Sequence, residues 1–406
     1  MNKQQLLYDL FSAYYECRKN KRNTINALDF ELNYESNLIK LADEISNWTY
    51  EVWKSIAFIV NKPVKREVFA WDFRDRIVHH YVINKLNPYF EKYFIYDSYS
   101  CRVGKWTLFW IKRIEKFIRS CSENYTKDCY ILKLDIRWFF MSIDKDILYK
   151  KMEKFLQYNN LSLFQIDEIN ELQQGDELEK LNHNFLLKLI QKIIYNNSIK
   201  NCIIKWNKKD WHGLPKSKSL FFTKDNTWLP IWNLTSQVFA NFYLDFLDKF
   251  IKQKLKIKYY GRYVDDFILV HSDKQYLKYC KSQIDIYLKE ELSLTVHPNK
   301  IYLQHYTKWV LFLWSFIKPY RIYLKNNIKW NIYEKVNILN NKIRLNDWKI
   351  NNILRTDFRQ SINSYLWLVK HYKTYKLKKY ILLNQVSAYF WNYFYISWWY
   401  SKVKKK

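Results

Sequence analysis

The chain predicts an α+β fold, and three observations carry that prediction. Apolar residues recur at helical spacing through QLLYDLFSAYYECR and LDFELNYESNLIKLADEI, which makes residues 2–50 helical. Runs of Ile, Phe and Val on either side of Lys62-Pro63 make SIAFIVNKPVKREVFAWDF a strand, a basic turn and a second strand. Further on, IKYYGRYVDDFILVHSD reads as strand, tight turn, strand.

The remaining elements follow in order. RDRIVHHYVINKLNPYFEKYF predicts a helix, and CYILKLDIRWFFMSID a buried strand ending in an acid, after which KDILYKKMEKFLQ returns to helix. Residues 158–228 are polar, broken and rich in Asn and Lys, and read as an insertion. TSQVFANFYLDFLDKFIKQKL and KQYLKYCKSQIDIYLKEEL are amphipathic helices on either side of the hairpin. Short strands follow in LTVHPNKIYLQ and VLFLWSFIKPYRIYL, and the rest of the chain reads as helices with SKVKKK as a frayed tail.

At 406 residues the length suits two to four units of roughly 100–200 residues each. Six cysteines without a CxxC pair suggest free thiols in a reducing cytoplasm, with neither a zinc ribbon nor a disulfide framework. No apolar run reaches the ~18 residues a membrane helix needs, and the N-terminus does not read as a signal peptide, so no membrane is expected as a partner. The 68 Lys and Arg against 39 Asp and Glu give a net charge of +29. On a chain rich in aromatics that excess favours a polyanion, nucleic acid first, although AT-rich coding also inflates Lys, Asn, Ile and Tyr. From 351 to 406 there are eleven Lys and Arg and one acid, Asp357, which suits an element lying along a phosphate backbone.

The acids Asp265 and Asp266 fall at the apex of the apolar hairpin in YGRYVDDFILV. Adjacent carboxylates there repel one another and lose hydration, so they require a cation. A third carboxylate, Asp135, ends the strand YILKLD, where it can converge with the hairpin apex. Magnesium prefers oxygen ligands and commonly takes one or two carboxylates plus substrate phosphates. Two such ions suit an in-line displacement of pyrophosphate by a 3′-oxygen. Tyr-x-Asp-Asp between strands, with a strand-final Asp some 130 residues earlier, is a specific pattern.

At these residues the sequence resembles reverse transcriptases, over about residues 46–380 and in their motif order. It is most similar to the reverse transcriptases of diversity-generating retroelements, through REVFAWDFRDRIVHH, DSYSCRVGK, LDIRWFFMSID, LPIWNLTSQVFANFYL, YVDDF and SINSYLWLVKHY. Ser236-Gln237 is the specific marker, since group II intron enzymes carry Ser-Pro there. The resemblance implies a right-hand polymerase fold with fingers, an antiparallel-sheet palm and a helical thumb. Its segments would be 1–45 an N-terminal helical segment, 46–125 fingers, 126–150 first palm part, 151–225 insertion or fingers, 226–320 second palm part with primer grip, and 321–406 basic helical thumb and tail.

It also implies roles. Asp135, Asp265 and Asp266 would bind two Mg²⁺ ions, for which Mn²⁺ could substitute. Phe140 would exclude a ribose 2′-OH, and Gln237 would sit against the incoming nucleotide and the primer-template pair. Arg74, Arg76, Arg102 and Lys105 would supply the triphosphate contacts, Lys300 would protonate departing pyrophosphate, and Phe312, Leu313, Trp314, Ser315 and Phe316 would form the primer grip. Outside the motif Phe140 reads as a core residue, and Arg74 and Arg76 could instead pair with Asp72 and Asp75 on their own helix. His79 and His80, adjacent on a helix, cannot both face one metal and read as packing or backbone-contact residues. The implied partners are template RNA, primer and cDNA, dNTPs, and a basic helical accessory oligomer. The implied activity is cDNA synthesis with errors at template adenines, diversifying a target gene. The alternatives are a polymerase of retron, abortive-infection or group II intron type, and a nucleic-acid binder with impaired catalysis.

One feature of composition conflicts with this pattern. Only four of 406 residues are glycine, about 1%, against ~7% on average, while tryptophan reaches 18. Against the retroelement pattern Trp48, Trp53, Trp106, Trp138, Trp228, Trp232, Trp314 and Trp367 stand where glycine is expected. UGA codons read as glycine in the source organism, but translated here as tryptophan, would produce this pattern. In the chain as it stands Trp232 would press on the nucleotide or template site, and Trp138 would crowd Asp135.

Overall fold

The computed structural model describes residues 3–19, 24–61, 64–163, 172–200, 202–205, 207–224, 226–231, 233–346 and 349–406. Lys62-Pro63 and Trp232 therefore lie outside the described residues. The N-terminal periodicity resolves into three helices, α1 (Lys3–Arg18), α2 (Ile25–Glu31) and α3 (Tyr34–Ser46). Strands β1 (Ile56–Val60) and β2 (Arg66–Ala70) pair antiparallel, from Ile56 opposite Ala70 to Val60 opposite Arg66. Helix α4 (Phe73–Tyr93) starts at Asp72, whose carboxylate accepts the Arg74 N–H at 3.0 Å and so satisfies one of the first-turn donors. Helix α5 (Thr107–Cys121) buries Trp110, Ile111, Ile114, Phe117 and Ile118, a single apolar stripe.

Next come β3 (Tyr130–Asp135), the one-turn α6 (Phe139–Ser142) and α7 (Lys145–Leu163). The described part of the stretch read as an insertion is more regular than its composition suggests. It carries the 24-residue α8 (Leu172–Tyr195) and a short strand, β4 (Ile203–Ile204), which pairs parallel to β1. Phe185, Leu189, Ile190, Ile193 and Ile194 keep helical spacing and are buried. Their signal was diluted by Asn- and Lys-rich flanks, and the β4 pairing is long-range, so no local pattern announces it.

Helix α9 (Leu234–Lys249) is buried nearly all round, continues as a π-helical stretch over Phe250–Lys254, and leads to β5 (Tyr259–Tyr263) and β6 (Asp266–His271), the predicted hairpin. Strand β6 lies between β5 and β3. Helix α10 (Lys274–Leu292) buries Leu277, Cys280, Ile284, Leu288 and Leu292 at three- and four-residue steps. After β7 (Tyr302–His305), β8 (Val310–Phe312), β9 (Ser315–Lys318) and β10 (Arg321–Leu324) form an antiparallel meander.

Helices α11 (Asn326–Arg344), α12 (Asn352–Val369) and α13 (Tyr375–Tyr380) follow, but the chain does not end as helix and frayed tail. Strand β11 (Phe394–Ile396) pairs antiparallel with β12 (Val403–Lys405), inside SKVKKK. Val403 is buried, and the Asn363 amide both donates to its carbonyl at 2.9 Å and accepts its N–H at 2.7 Å. One valine and a distant asparagine anchor a segment whose lysines alone suggest solvent.

The chain divides into two compact units. One comprises 1–106, 132–269 and 275–302, the other 107–131, 270–274 and 303–406. In the second, Ile332, Val336, Leu339 and Ile343 of α11 and Leu354, Phe358, Ile362, Leu366 and Val369 of α12 share one core. Phe358 stacks on Phe390 with centroids 3.9 Å apart. All six cysteines are free, as their spacing predicts. Among the described residues no helix is long and apolar enough to cross a membrane.

Candidate active site

The three carboxylates belong to the first unit and come together at one end of neighbouring strands. Asp135 closes β3, Asp266 opens β6, and Asp265 occupies the turn before it. The Ile136 N–H donates to the Asp265 carbonyl at 3.2 Å, so the end of β3 is tied to the turn by backbone. The Asp135 carbonyl in turn accepts the His297 N–H at 2.7 Å, which brings the loop carrying Lys300 alongside. Lys300 Nζ pairs with Asp135 at 2.8 Å, and Lys133 Nζ with Asp266 at 3.4 Å. Lys133 sits two residues before Asp135, on the same face of β3, and that period of two is the signal by which sequence reasoning could have found it.

Three acids thus face two ammonium groups. Burial, followed by repulsion from Asp135 and Asp266, pushes the Asp265 carboxyl up to about 7. Asp266 is also raised, by burial first, with Lys133 opposing. Burial works against the Lys300 ammonium, but its hydrogen bond to Asp135 and the attraction of the three acids prevail and raise it. Among the described residues no group of three or more Asp, Glu, His or Cys side chains is placed so that it could hold a metal ion. The chemistry of the donor set nevertheless fits a hard divalent cation: all oxygen, with Asp135 buried and Asp265 and Asp266 half-buried, and carrying unbalanced negative charge that holds Asp265 away from its ordinary ionisation.

The other expected residues are distributed differently. Arg74 is buried, ion-paired with Glu44 and with Asp75 at 3.3 Å, and donates to the Glu51 carbonyl at 3.1 Å. Burial pushes the Asp75 carboxyl up to about 6, against the Tyr50 hydroxyl and Arg74. Arg76 donates to the Trp71 carbonyl at 2.8 Å. Arg102 is buried and grips Glu91 through Nε and Nη2, at 3.0 and 2.8 Å to one oxygen. Lys105 Nζ donates to the Tyr96 carbonyl at 2.5 Å, and burial lowers its ammonium to about 8. Each of these four cations already has a protein acceptor, and Arg74 pairs with Asp75, the helix neighbour considered from sequence.

Half-buried Phe140 lies on α6, five residues after Asp135, and its carbonyl accepts the Leu229 N–H at 2.8 Å. Gln237, also half-buried, accepts from the Cys101 thiol at 3.0 Å in the first turn of α9. Buried His79 bonds Thr235 through Nδ1 at 3.1 Å, a packing role. In the second unit Phe312 is buried edge-on against Trp110, Ser315 Oγ bonds the Tyr372 hydroxyl at 2.6 Å, Phe316 packs on Trp309, and Trp314 packs against the helical core. Leu313 turns the hairpin at φ +52°.

Three of the tryptophans set against glycine occupy left-handed backbone: Trp48 at φ +64°, Trp138 at +47° and Trp228 at +86°. Trp48 follows the C-cap of α3, with its N–H on the Ile45 carbonyl at 3.3 Å and the Thr49 N–H on Glu44 at 2.9 Å. That paired bonding is the helix ending for which glycine is the usual residue. Trp138 caps α6, and Arg137 lies 3.8 Å over its exposed ring. Trp228 is buried beside Ala57, Phe69 and Leu220. Trp53, Trp106, Trp314 and Trp367 are not left-handed, and at the β8–β9 turn the positive φ falls on Leu313 instead.

No protein-family model and no curated protein sequence matches the chain. Among solved structures it is similar to telomerase from Candida albicans in complex with a TWJ fragment of telomeric RNA, with 11% identity, a TM-score of 0.44, and coverage of 86% of this chain and 63% of that one. It is similar also to apo telomerase from Candida tropicalis, with 12% identity, a TM-score of 0.45, and coverage of 81% and 60%. The chain therefore spans less than two thirds of the length of these telomerase chains. Likeness at such scores and identities decides neither fold nor function.

Proposed function

We propose that the chain is an RNA-directed DNA polymerase of the reverse-transcriptase kind, with the right-hand layout of fingers, palm and thumb. The observation that carries the reading is the meeting of Asp135, Asp265 and Asp266 at one end of adjacent strands, with Lys300 on Asp135. The net charge of +29 supports a nucleic-acid substrate. Bound Mg²⁺, or Mn²⁺ in its place, would supply the charge that activates a primer 3′-hydroxyl and stabilises the leaving pyrophosphate.

The chain's own residues supply the remainder. Asp135, Asp265 and Asp266 would hold the ions, and their mutual repulsion is what a cation relieves. Lys300 keeps a proton that it can give to pyrophosphate, since its attraction to the acids holds it protonated. Phe140, on the turn after β3, would close the sugar site to a 2′-hydroxyl. Gln237 would lie against the nascent pair. Because Arg74 and Arg102 are ion-paired with carboxylates whereas Arg76 and Lys105 donate to backbone carbonyls, Arg76 and Lys105 are the better placed of the four to turn toward a triphosphate.

The motif resemblance, with Ser236-Gln237, supports the finer reading of a diversity-generating retroelement enzyme that copies a template RNA with errors at adenines beside a basic accessory oligomer. Left-handed Trp138, three residues after Asp135, favours a second reading, a nucleic-acid binder with impaired catalysis. Primer extension on an RNA template with dNTPs and Mg²⁺ separates them. DNA synthesis that a chelator stops is the expected result, and binding without synthesis by folded protein would replace the first reading with the second.

A further inference from the structure

We propose that Arg262 is a positioning residue, which fixes the acidic turn by holding the Val264 carbonyl. The inference rests on the polymerase reading for the turn's purpose, but its geometry stands alone. Arg262 lies on β5 and is fully buried. A buried guanidinium persists only where its donors are matched, and here every nitrogen is engaged. Nε and Nη2 fork onto Asp248 of α9 at 2.8 and 2.6 Å. Nη1 reaches the Asn241 side-chain oxygen, also on α9, at 3.2 Å and the Val264 carbonyl at 3.0 Å. Nη2 also approaches the Asn241 carbonyl at 3.3 Å and Ser98 Oγ at 3.4 Å. The Arg262 backbone is held as well, its N–H on the Asp97 carbonyl at 2.9 Å and its carbonyl on the Tyr99 N–H at 3.1 Å.

What this assembly restrains is unusual. Val264 has φ +58°, a region that a β-branched residue rarely enters. It immediately precedes Asp265 and Asp266, two acids that repel each other and Asp135. A turn of that shape, loaded with like charge, would relax unless held. The hold runs from α9, through the Asp248 fork and Asn241, to the carbonyl before the acids. Lysine could keep the charge opposite Asp248 but not the planar fork that reaches Val264 at the same time.

The test compares the full chain with Arg262→Lys, Val264→Gly and the double variant, reading Mn²⁺ affinity by paramagnetic resonance, thermal unfolding, and kcat and KM for dNTP in primer extension. Arg262→Lys is expected to weaken Mn²⁺ binding about 10–100-fold and to lower kcat more than it raises KM, as loss of a ligand-orienting partner does. Val264→Gly in that background is expected to restore part of the affinity, because glycine adopts the turn without being held. If Arg262→Lys lowers the unfolding temperature but leaves Mn²⁺ affinity and kcat unchanged, Arg262 serves only the fold and the proposal is overturned. Should Arg262→Lys fail to fold, Asp248→Asn loosens the same fork and is read against the same outcomes. The Arg262 inference is decided by Mn²⁺ affinity and the polymerase reading by primer extension in the unsubstituted chain, so each fails separately.

Discussion

Asp265→Ala/Asp266→Ala is expected to reduce RNA-templated primer extension by about 10³-fold or more while the chain stays folded. Charge stabilisation by ions at such a site supplies several kcal/mol, and each ~1.4 kcal/mol is about tenfold in rate. Stability should move the other way. In the folded chain Asp265 holds its proton up to about 7, against ~3.9 for an unperturbed aspartate. The folded state thus keeps a proton that the unfolded state releases. The resulting stability is complete below about pH 4 and is lost as pH rises through about 7. Without metal, the double variant should lose this pH slope and unfold at an equal or higher temperature near neutrality. Extension assays and thermal unfolding from pH 4 to 8 in chelator check both parts. An active double variant would remove these acids from the chemistry.

Trp48→Gly and Trp138→Gly are each expected to stabilise the chain by about 1–2 kcal/mol, the ordinary cost of a left-handed non-glycine residue. Both rings are nearly half exposed, so less burial is lost than at a core position. Trp228 is the discriminating position. Its φ of +86° asks for glycine, yet its buried ring packs on Phe69 and Leu220 with Lys145 4.1 Å above it. Relief of strain of ~1–2 kcal/mol opposes a cavity cost of ~3–5 kcal/mol, so Trp228→Gly should lose stability in this packing. A gain there would mean that the surroundings suit glycine. Thermal unfolding of the three variants gives the signs. Mass spectra of native peptides spanning 48, 138 and 228 would test the UGA reading directly, and glycine at these positions is its expected result.

Much of the fold was legible where local pattern and tertiary role coincide. The β1–β2 hairpin, α4, α10 and the β5–β6 hairpin bury the residues that their pattern marks, whereas α9, read as amphipathic, is buried nearly all round. The stretches that escaped depend on distant partners: β4 needs β1, and β12 needs Asn363 and β11. In the site, the acids could be named because strand ends and a hairpin apex are local features. The cations could not be apportioned, because whether Arg74 or Arg102 is committed depends on Glu44 and Glu91, which belong to other elements. Arg262 went unnoticed for the same reason, its acid lying fourteen residues earlier on a buried helix.

The most direct test is Mn²⁺ binding by paramagnetic resonance to the full chain and to a chain carrying Asp135→Asn, Asp265→Asn and Asp266→Asn. Binding by the unsubstituted chain that the triple variant loses, with its fold intact, is the result predicted for a carboxylate-held catalytic ion site. Equal binding by both chains, or none by either, would contradict it.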